Sequence, residues 1–244
     1  MSTSWCGHLP RDVGVVVVAA GQGQRFGRGT PKQYQLVRGV PVVLRALQPF
    51  TSHPEVGQVV LVLPASDARN PPSVLSSLGS GPDAGPSPGA VTIVPGGQHR
   101  QDSVRLGLAA LRPEYGVVLV HDGARPFVER GVIDAVIAHA RRGEGAVAAV
   151  PLRDTLKQVS SRDVSRVERT IPRSGLWRAQ TPQGFPRAVL ERAHAAAGSD
   201  ATDDAALVEA LGIAVRLVPD STRNLKITTP DDLALAELLA GAER

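Results

Sequence analysis

The junction between Val15-Val16-Val17-Val18-Ala19-Ala20 and Gly21-Gln22-Gly23-Gln24-Arg25-Phe26-Gly27-Arg28-Gly29-Thr30-Pro31-Lys32-Gln33 limits the fold more than any other stretch. An unbroken β-branched run, without polar alternation, predicts a strand covered on both faces, as in a parallel sheet flanked by helices. The segment after it carries four glycines, two arginines and a lysine. Glycines let backbone N–H groups approach a ligand closely, and the cations add positive charge. That combination predicts a polyphosphate loop.

Two familiar phosphate loops fail on spacing. A dinucleotide fingerprint needs glycine at the first, third and sixth positions; here Gly21 and Gly23 fit, but Phe26 holds the sixth. A Walker loop ends Gly-Lys-Ser/Thr, whereas Lys32 lies between Pro31 and Gln33. The alternative is a plain glycine-rich turn with solvated arginines, and the density of cations argues against it.

The chain has 244 residues, enough for one large α/β domain over 13–240 behind a disordered leader at 1–12. Aromatic residues make up only 3%, so the core must come from Val, Leu, Ile and Ala. The net charge is +4, yet the basic residues are dispersed and few aromatics are present for base stacking, so nucleic acid is not an expected partner. Acidic small molecules fit better. Cys6 is the single cysteine, which excludes a disulfide framework. No signal peptide or run of about 18 apolar residues is present, so a cytoplasmic protein without a membrane span is expected. Of 27 basic side chains only Lys32, Lys157 and Lys226 are lysines, which leaves 24 arginines. All three lysines fall in motif-like segments, where a compact ammonium on a flexible stem is of use.

Strands are expected at Val59 to Leu63, Val91 to Val94, Val117 to Val120, residues 145–150 and Ala214 to Val218. Helical spacing marks Pro41 to Phe50, the segment with Val104, Leu108 and Leu111, then 129–142, 186–197, 203–211 and Pro230 to Leu239. This alternation predicts a doubly wound, mostly parallel Rossmann-like sheet with ligands at the carboxyl ends of the strands. Residues 79–89, rich in Gly, Pro and Ser, read as a surface loop. From Pro151 to Phe185 short Thr- and Val-containing pieces alternate with charges, which predicts a projecting arm or hairpin in need of a partner chain.

Asp122, in His121-Asp122-Gly123-Ala124-Arg125-Pro126 at the end of a strand, is placed to bind Mg²⁺ or another divalent cation beside the phosphate loop. A turn or cap role is the alternative. His121 reads as a structural hydrogen-bonder. Gly96-Gly97 with Asp102-Ser103 could let a flat base slide against the backbone, or form an ordinary turn and helix start. Arg153-Asp154-Thr155-Leu156-Lys157, Arg169, Arg173 and Gln180-Thr181-Pro182-Gln183 make a polar set in the arm. Thr202-Asp203-Asp204 reads most simply as an N-cap with first-turn acids, and Lys226 in Asn224-Leu225-Lys226, ordinarily a solvated turn residue, suits a phosphate contact by the rarity of lysine.

These segments, in this order over nearly all of residues 13–240, resemble the 2-C-methyl-D-erythritol 4-phosphate cytidylyltransferases of the non-mevalonate isoprenoid pathway. The resemblance implies transfer of CMP from CTP to a methylerythritol phosphate in a nucleotide-diphospho-sugar-transferase fold. It implies catalytic roles for Arg25 and Lys32 in stabilising the transition state, and for Arg173 and Lys226 in positioning the attacking phosphate. CTP contacts would come from Ala19, Ala20, Gly21, Gly23, Arg25, Lys32, Gly97, Ser103, Asp122, Gly123 and Lys226, with Asp122 as the metal ligand. Arg125, Thr155, Arg173, Thr181, Thr202 and Asp203 would surround the second substrate. A homodimer through an arm at about 152–184 would place Arg173 and Thr202 in the partner's site. The chain ends at Arg244, so the cyclase domain fused to some relatives is not expected. A ribitol-5-phosphate cytidylyltransferase is the nearest rival, although Arg153 to Lys157 and Leu176-Trp177-Arg178-Ala179-Gln180 look more like the methylerythritol enzymes. A basic nucleic-acid-binding module is the non-enzymatic alternative, and it would show salt-sensitive binding.

Overall fold

The computed structural model describes residues 10–21, 30–78, 90–160, 163–198 and 201–242. Gly23 and Arg25, most of the 1–12 leader including Cys6, and the 79–89 segment lie outside the described residues. The frame is a seven-stranded sheet. Its middle is β1 (Val13–Val18), flanked by β4 (Val56–Leu63) and β6 (Val117–Asp122), both parallel to it. β5 (Val91–Pro95) extends the β4 side in parallel and forms that edge. Short strands β2 (Leu36–Val37) and β3 (Val40–Pro41) form a separate ribbon.

Helices cover both faces, as the unbroken apolar strands require. Val13, Val15 and Val17 of β1 pack with Leu47 and Phe50 of α1 (Val42–Thr51) and with Ile133, Val136 and Ile137 of α4 (Arg130–Arg141). Short α2 (Ala65–Arg69) adds Ala68 to that side. Val16 of β1 points the other way. It joins Val104 and Leu108 of α3 (Arg100–Ala110), Leu190 of α5 (Arg187–Ala196) and Val208 of α6 (Asp204–Glu209). The period-2 alternation of a strand thus feeds two cores at once. α7 (Pro230–Gly241) begins with Pro at its first turn and a Thr229–Asp232 capping box, then packs Ala236 with Val37, Phe127 and Ile227.

The other half of the sheet differs from the sequence expectation. Residues Pro151 to Phe185 do not all project. Trp177–Pro186 forms β10, which runs antiparallel between β6 and β7 (Gly145–Pro151). β11 (Val215–Pro219) then pairs with β7 in parallel and closes that edge. β10 escapes notice because its buried part is polar: Gln180, Thr181 and Gln183 are all buried. Most of that polarity is met internally, the exception being Gln180 Oε1. Gln180 Nε2 donates to Asn224 O at 2.8 Å, and Gln183 Nε2 donates to Asp203 Oδ2 while its Oε1 accepts from Ala205 N, both at 2.9 Å. A buried polar side chain is tolerated when so paired.

What projects is smaller. β8 (Leu156–Val159) and β9 (Val167–Ile171) form an antiparallel hairpin apart from the main sheet. Among the described residues no helix is long and apolar enough to cross a membrane.

Gly184 of β10 permits its close fit under α4. A Cβ there would run into Val136 and lie 2.7 Å from Leu119 Cδ2, both fully buried. Gly184→Ala is therefore expected to destabilise by about 1–3 kcal/mol through overpacking. Thermal unfolding should show Tm lowered by roughly 3–10 °C, and an unchanged Tm would contradict this packing.

Candidate active site

The sheet reverses its winding between β1 and β6: the chain leaves β1 toward β4 and β5, then returns to lay β6 on the other side. Crevices form at the carboxyl ends of strands at such a switch point. Register puts Val18 directly beside Asp122 there. Beyond the strand ends, Ala19 N donates to Val62 O at 2.8 Å, Gly123 N to Val18 O at 2.9 Å and Gly96 N to Leu63 O at 2.8 Å. These bonds pull three loops together. Gly96 is needed for that approach, because a Cβ would collide with Ala20 and come within 2.8 Å of Ser103 Oγ.

The resulting cleft, about 210 Å³, is lined by Ala19, Ala20, Gly21, Lys32, Gly97, Ser103, Asp122, Gly123 and Lys226, with Arg100 among its other walls. All of the expected CTP contacts that fall within the described residues therefore share one cavity. Lys32 opens a 3₁₀ turn after Pro31, and its Nζ donates to Ile227 O at 3.3 Å. Ser103 Oγ accepts from Gly97 N at 3.2 Å and so ties the Gly-Gly turn to α3.

Asp122 is the only carboxylate among the described residues that line the cleft. Lys226 Nζ lies 2.9 Å from its Oδ2, Arg125 Nε 3.5 Å from the same oxygen, and Arg100 Nε 3.5 Å from Oδ1. Burial pushes the carboxyl up, but Lys226, then Arg100 and Arg125, hold it well below the usual carboxylate range. It is a buried anion kept charged by three cations.

His121 stands behind it as a structural group. Its Nε2 must donate to the Arg125 carbonyl 3.0 Å away, so the neutral ring accepts at Nδ1 from Thr181 Oγ1, also at 3.0 Å. Thr181 Oγ1 accepts in turn from Asp122 N at 3.0 Å. Phe50 packs on the ring with centroids 4.8 Å apart. Burial lowers the His121 pKa to about 4.

The expected second-substrate residues divide. Arg125 borders Asp122 and donates through Nη1 to Asn224 O at 2.8 Å. Thr181 is buried in the chain of bonds behind Asp122. Asp203 Oδ1 caps α6 by accepting from Ala206 N at 2.9 Å, so the N-cap alternative describes its contacts within one chain. Thr155, Arg173 and Thr202 do not line the cleft. The first two belong to the exposed arm, where Arg173 bonds the Arg153 carbonyl. The missed residue is Arg100, hidden in sequence among 24 arginines and exposed as a cleft residue only by its bonds to Asp122 and Asp204.

A single carboxylate in a cleft suits Mg²⁺, which takes one or two carboxylates and completes its shell with water and phosphate oxygens. Asp122 fits that donor pattern. Another set, His53, Glu55 and Asp134, has ligand atoms within 4.8 Å of one another. It is committed elsewhere: His53 Nε2 sits 2.9 Å from Asp134 Oδ1, and Glu55 pairs with Arg141. It also lies where β4 begins, at the opposite end of the sheet from the cleft.

A doubly wound sheet whose switch point holds glycine turns, two lysines, two arginines and one ionised aspartate has the build of a nucleotidyltransferase. The profile of the family described as 2-C-methyl-D-erythritol 4-phosphate cytidylyltransferase matches residues 13–241, and the chain belongs to that family. It is 44% identical over 243 residues to the enzyme of that name from Streptomyces coelicolor, covering 98% of this chain and 88% of the relative. It is also 44% identical over 236 residues to the one from Pelotomaculum thermopropionicum, with 95% of each covered. The crystal structure of the Thermus thermophilus enzyme superposes with a TM-score of 0.72 at 37% identity, over 95% of this chain and 100% of that one.

The unfolded chain takes up the His121 proton below about pH 6.5, and the folded chain only below about 4. Stability from this group is therefore complete above 6.5 and declines as pH falls between those values. Denaturant unfolding should lose about 1–2 kcal/mol more between pH 6.5 and 5 in the wild type than in His121→Gln. Parallel pH profiles for the two proteins would refute the neutral, buried histidine.

Proposed function

We propose that this chain is a CTP-dependent cytidylyltransferase that transfers CMP from CTP to 2-C-methyl-D-erythritol 4-phosphate. The products are 4-diphosphocytidyl-2-C-methyl-D-erythritol and pyrophosphate, and the role is in isoprenoid precursor synthesis. The observation that carries this reading is the meeting of Ala19 to Gly21, Lys32, Gly97, Ser103, Asp122, Gly123 and Lys226 in one cleft, within a chain of this family. A phosphate oxygen of the polyol attacks the α-phosphorus of CTP, the bond to the bridging oxygen breaks, and pyrophosphate leaves. Little covalent work falls to the protein. It must align the two phosphates and offset charge on the phosphoryl oxygens and the leaving group.

Lys32 and Lys226, both in the cleft wall, suit that offset, as does Arg25 by its place in the motif. Gly21 and the Gly97 turn give backbone approach to the nucleotide, and Ser103 is positioned by its bonds to serve the base. Asp122 would hold Mg²⁺ or another divalent cation, which supplies charge neutralisation on the triphosphate when bound. Arg125 and Thr181 support the Asp122 strand end from the side where Asn224 and Lys226 arrive. The second-substrate role of Thr155, Arg173, Thr202 and Asp203 rests on a homodimer. In its favour are the exposed Leu156, Val159, Val164, Val167, Leu176 and Trp177 of the arm and its ends. A lone two-stranded hairpin is marginal in water, and a second subunit would cover those side chains and bring Arg173 to the partner's cleft.

Purified protein with CTP, Mg²⁺ and methylerythritol phosphate should release pyrophosphate, and excess EDTA should abolish that release. Faster turnover with ribitol 5-phosphate would favour the rival substrate. Lys32→Ala should lower turnover at least ~100-fold, the scale for removing one transition-state charge partner. Near-normal turnover in that variant would refute the role given to Lys32.

A further inference from the structure

Among the described residues Arg100 and Asp204 form a close ion pair at the cleft wall, and the reaction as described makes no use of it. Arg100 Nη1 is 2.7 Å from Asp204 Oδ2, while its Nε is 3.5 Å from Asp122 Oδ1. Asp204 is almost wholly buried, and its other oxygen accepts from His194 Nε2 at 2.9 Å. We propose that Arg100 is a nucleotide-binding cation of this cleft and that Asp204, braced by His194, is the residue that positions it. The proposal rests on the reading of the cleft as a CTP site.

Three observations carry it. The first is the location of Arg100: it opens α3 between the Gly97–Ser103 turn and Asp122. A guanidinium there lies between the wall assigned to the base and the carboxylate assigned to the phosphates, so it faces the sugar–phosphate stretch of a nucleoside triphosphate. Its Nη2 has no hydrogen-bond partner among the described residues, and the planar fork suits phosphate oxygens.

The second is that Asp204 is not needed as a helix cap. Asp203 already accepts from Ala206 N, and Gln183 Oε1 takes Ala205 N. A buried carboxylate is costly unless its charge is matched. Here Arg100 matches the charge and His194 adds a hydrogen bond, and the outcome is a guanidinium fixed in place rather than a helix end satisfied.

The third concerns what happens when a nucleotide and its cation reach Asp122. Lys226, Arg125 and Arg100 all share that one carboxylate. An arriving triphosphate must redistribute them. Arg100 makes its tight contact with Asp204 and only a long one with Asp122, so it stays in position as Asp122 changes partners. Losing Asp204 would leave Arg100 to fall onto Asp122 and compete with the incoming cation.

The test is CTP binding by calorimetry without the polyol phosphate, run beside steady-state kinetics. Arg100→Gln should weaken CTP binding about tenfold or more, and Asp204→Asn about fivefold or more. KM for the polyol phosphate should stay within about twofold in both. The double variant R100Q/D204N should bind CTP no more weakly than R100Q alone, because Asp204 acts through Arg100. Multiplying losses in the double variant would overturn the proposal, as would a D204N protein with lowered Tm and unchanged CTP binding. Should D204N fail to fold, R100K carries the test: it keeps the charge but not the fork, and should fall between wild type and R100Q. R100K indistinguishable from wild type would overturn the proposal. Wild-type protein that binds no CTP would remove both this proposal and the functional reading, whereas unchanged affinity in the variants removes this one alone.

Discussion

The charge on Asp122 organises everything around the cleft. A carboxylate buried at the end of a central strand is unfavourable on its own, and it stays ionised because cations come to it from three separate segments. Arg100 arrives from the start of α3, Arg125 from the loop after β6, and Lys226 from the stretch before α7. Each brings its own backbone with it. Ile227 N reaches Ala124 O at 2.8 Å, and Asn224 Nδ2 reaches Thr181 O at the same distance, so the chain's C-terminal stretch is sewn to the strand end. The parallel register of β1 and β6 then sets Val18 beside that anion, and Ala19 to Gly21 share its cleft.

Where apolar periodicity was strong, the sequence was sufficient. The valine runs of β1, β4 and β6 and the amphipathic faces of α1 and α4 all lie where their spacing puts them, because burial alone dictates their state. β10 was not legible for the opposite reason. Gln180-Thr181-Pro182-Gln183 carries polar side chains into the interior, and they find partners far along the chain: Asn224 for Gln180 Nε2, His121 for Thr181 and Asp203 for Gln183. No local pattern encodes a partner 20 or 44 positions away.

The same distinction holds in the site. Lys32 and Lys226 stand out by rarity, and Asp122 by its position at a strand end. Arg100 does not stand out, since arginine is the default cation of this chain, and its bond to Asp204 spans 104 residues. His121 could be assigned a structural role from sequence, but its proton could be placed only from the geometry of the Arg125 carbonyl and Thr181 hydroxyl. Asp203 shows the structural reading plainly: its Oδ1 accepts from Ala206 N and caps α6.

The hairpin of β8 and β9 leaves and re-enters the sheet at neighbouring points. Pro151 at the end of β7 pairs with Trp177 at the start of β10, and Leu152 N donates to Leu176 O at 3.0 Å. The two feet are held together by the sheet itself, so closing the loop costs little that depends on what lies between them. The segment from 153 to 175 is in this sense a cassette. Its length and surface can diverge while the frame that carries the cleft keeps its register.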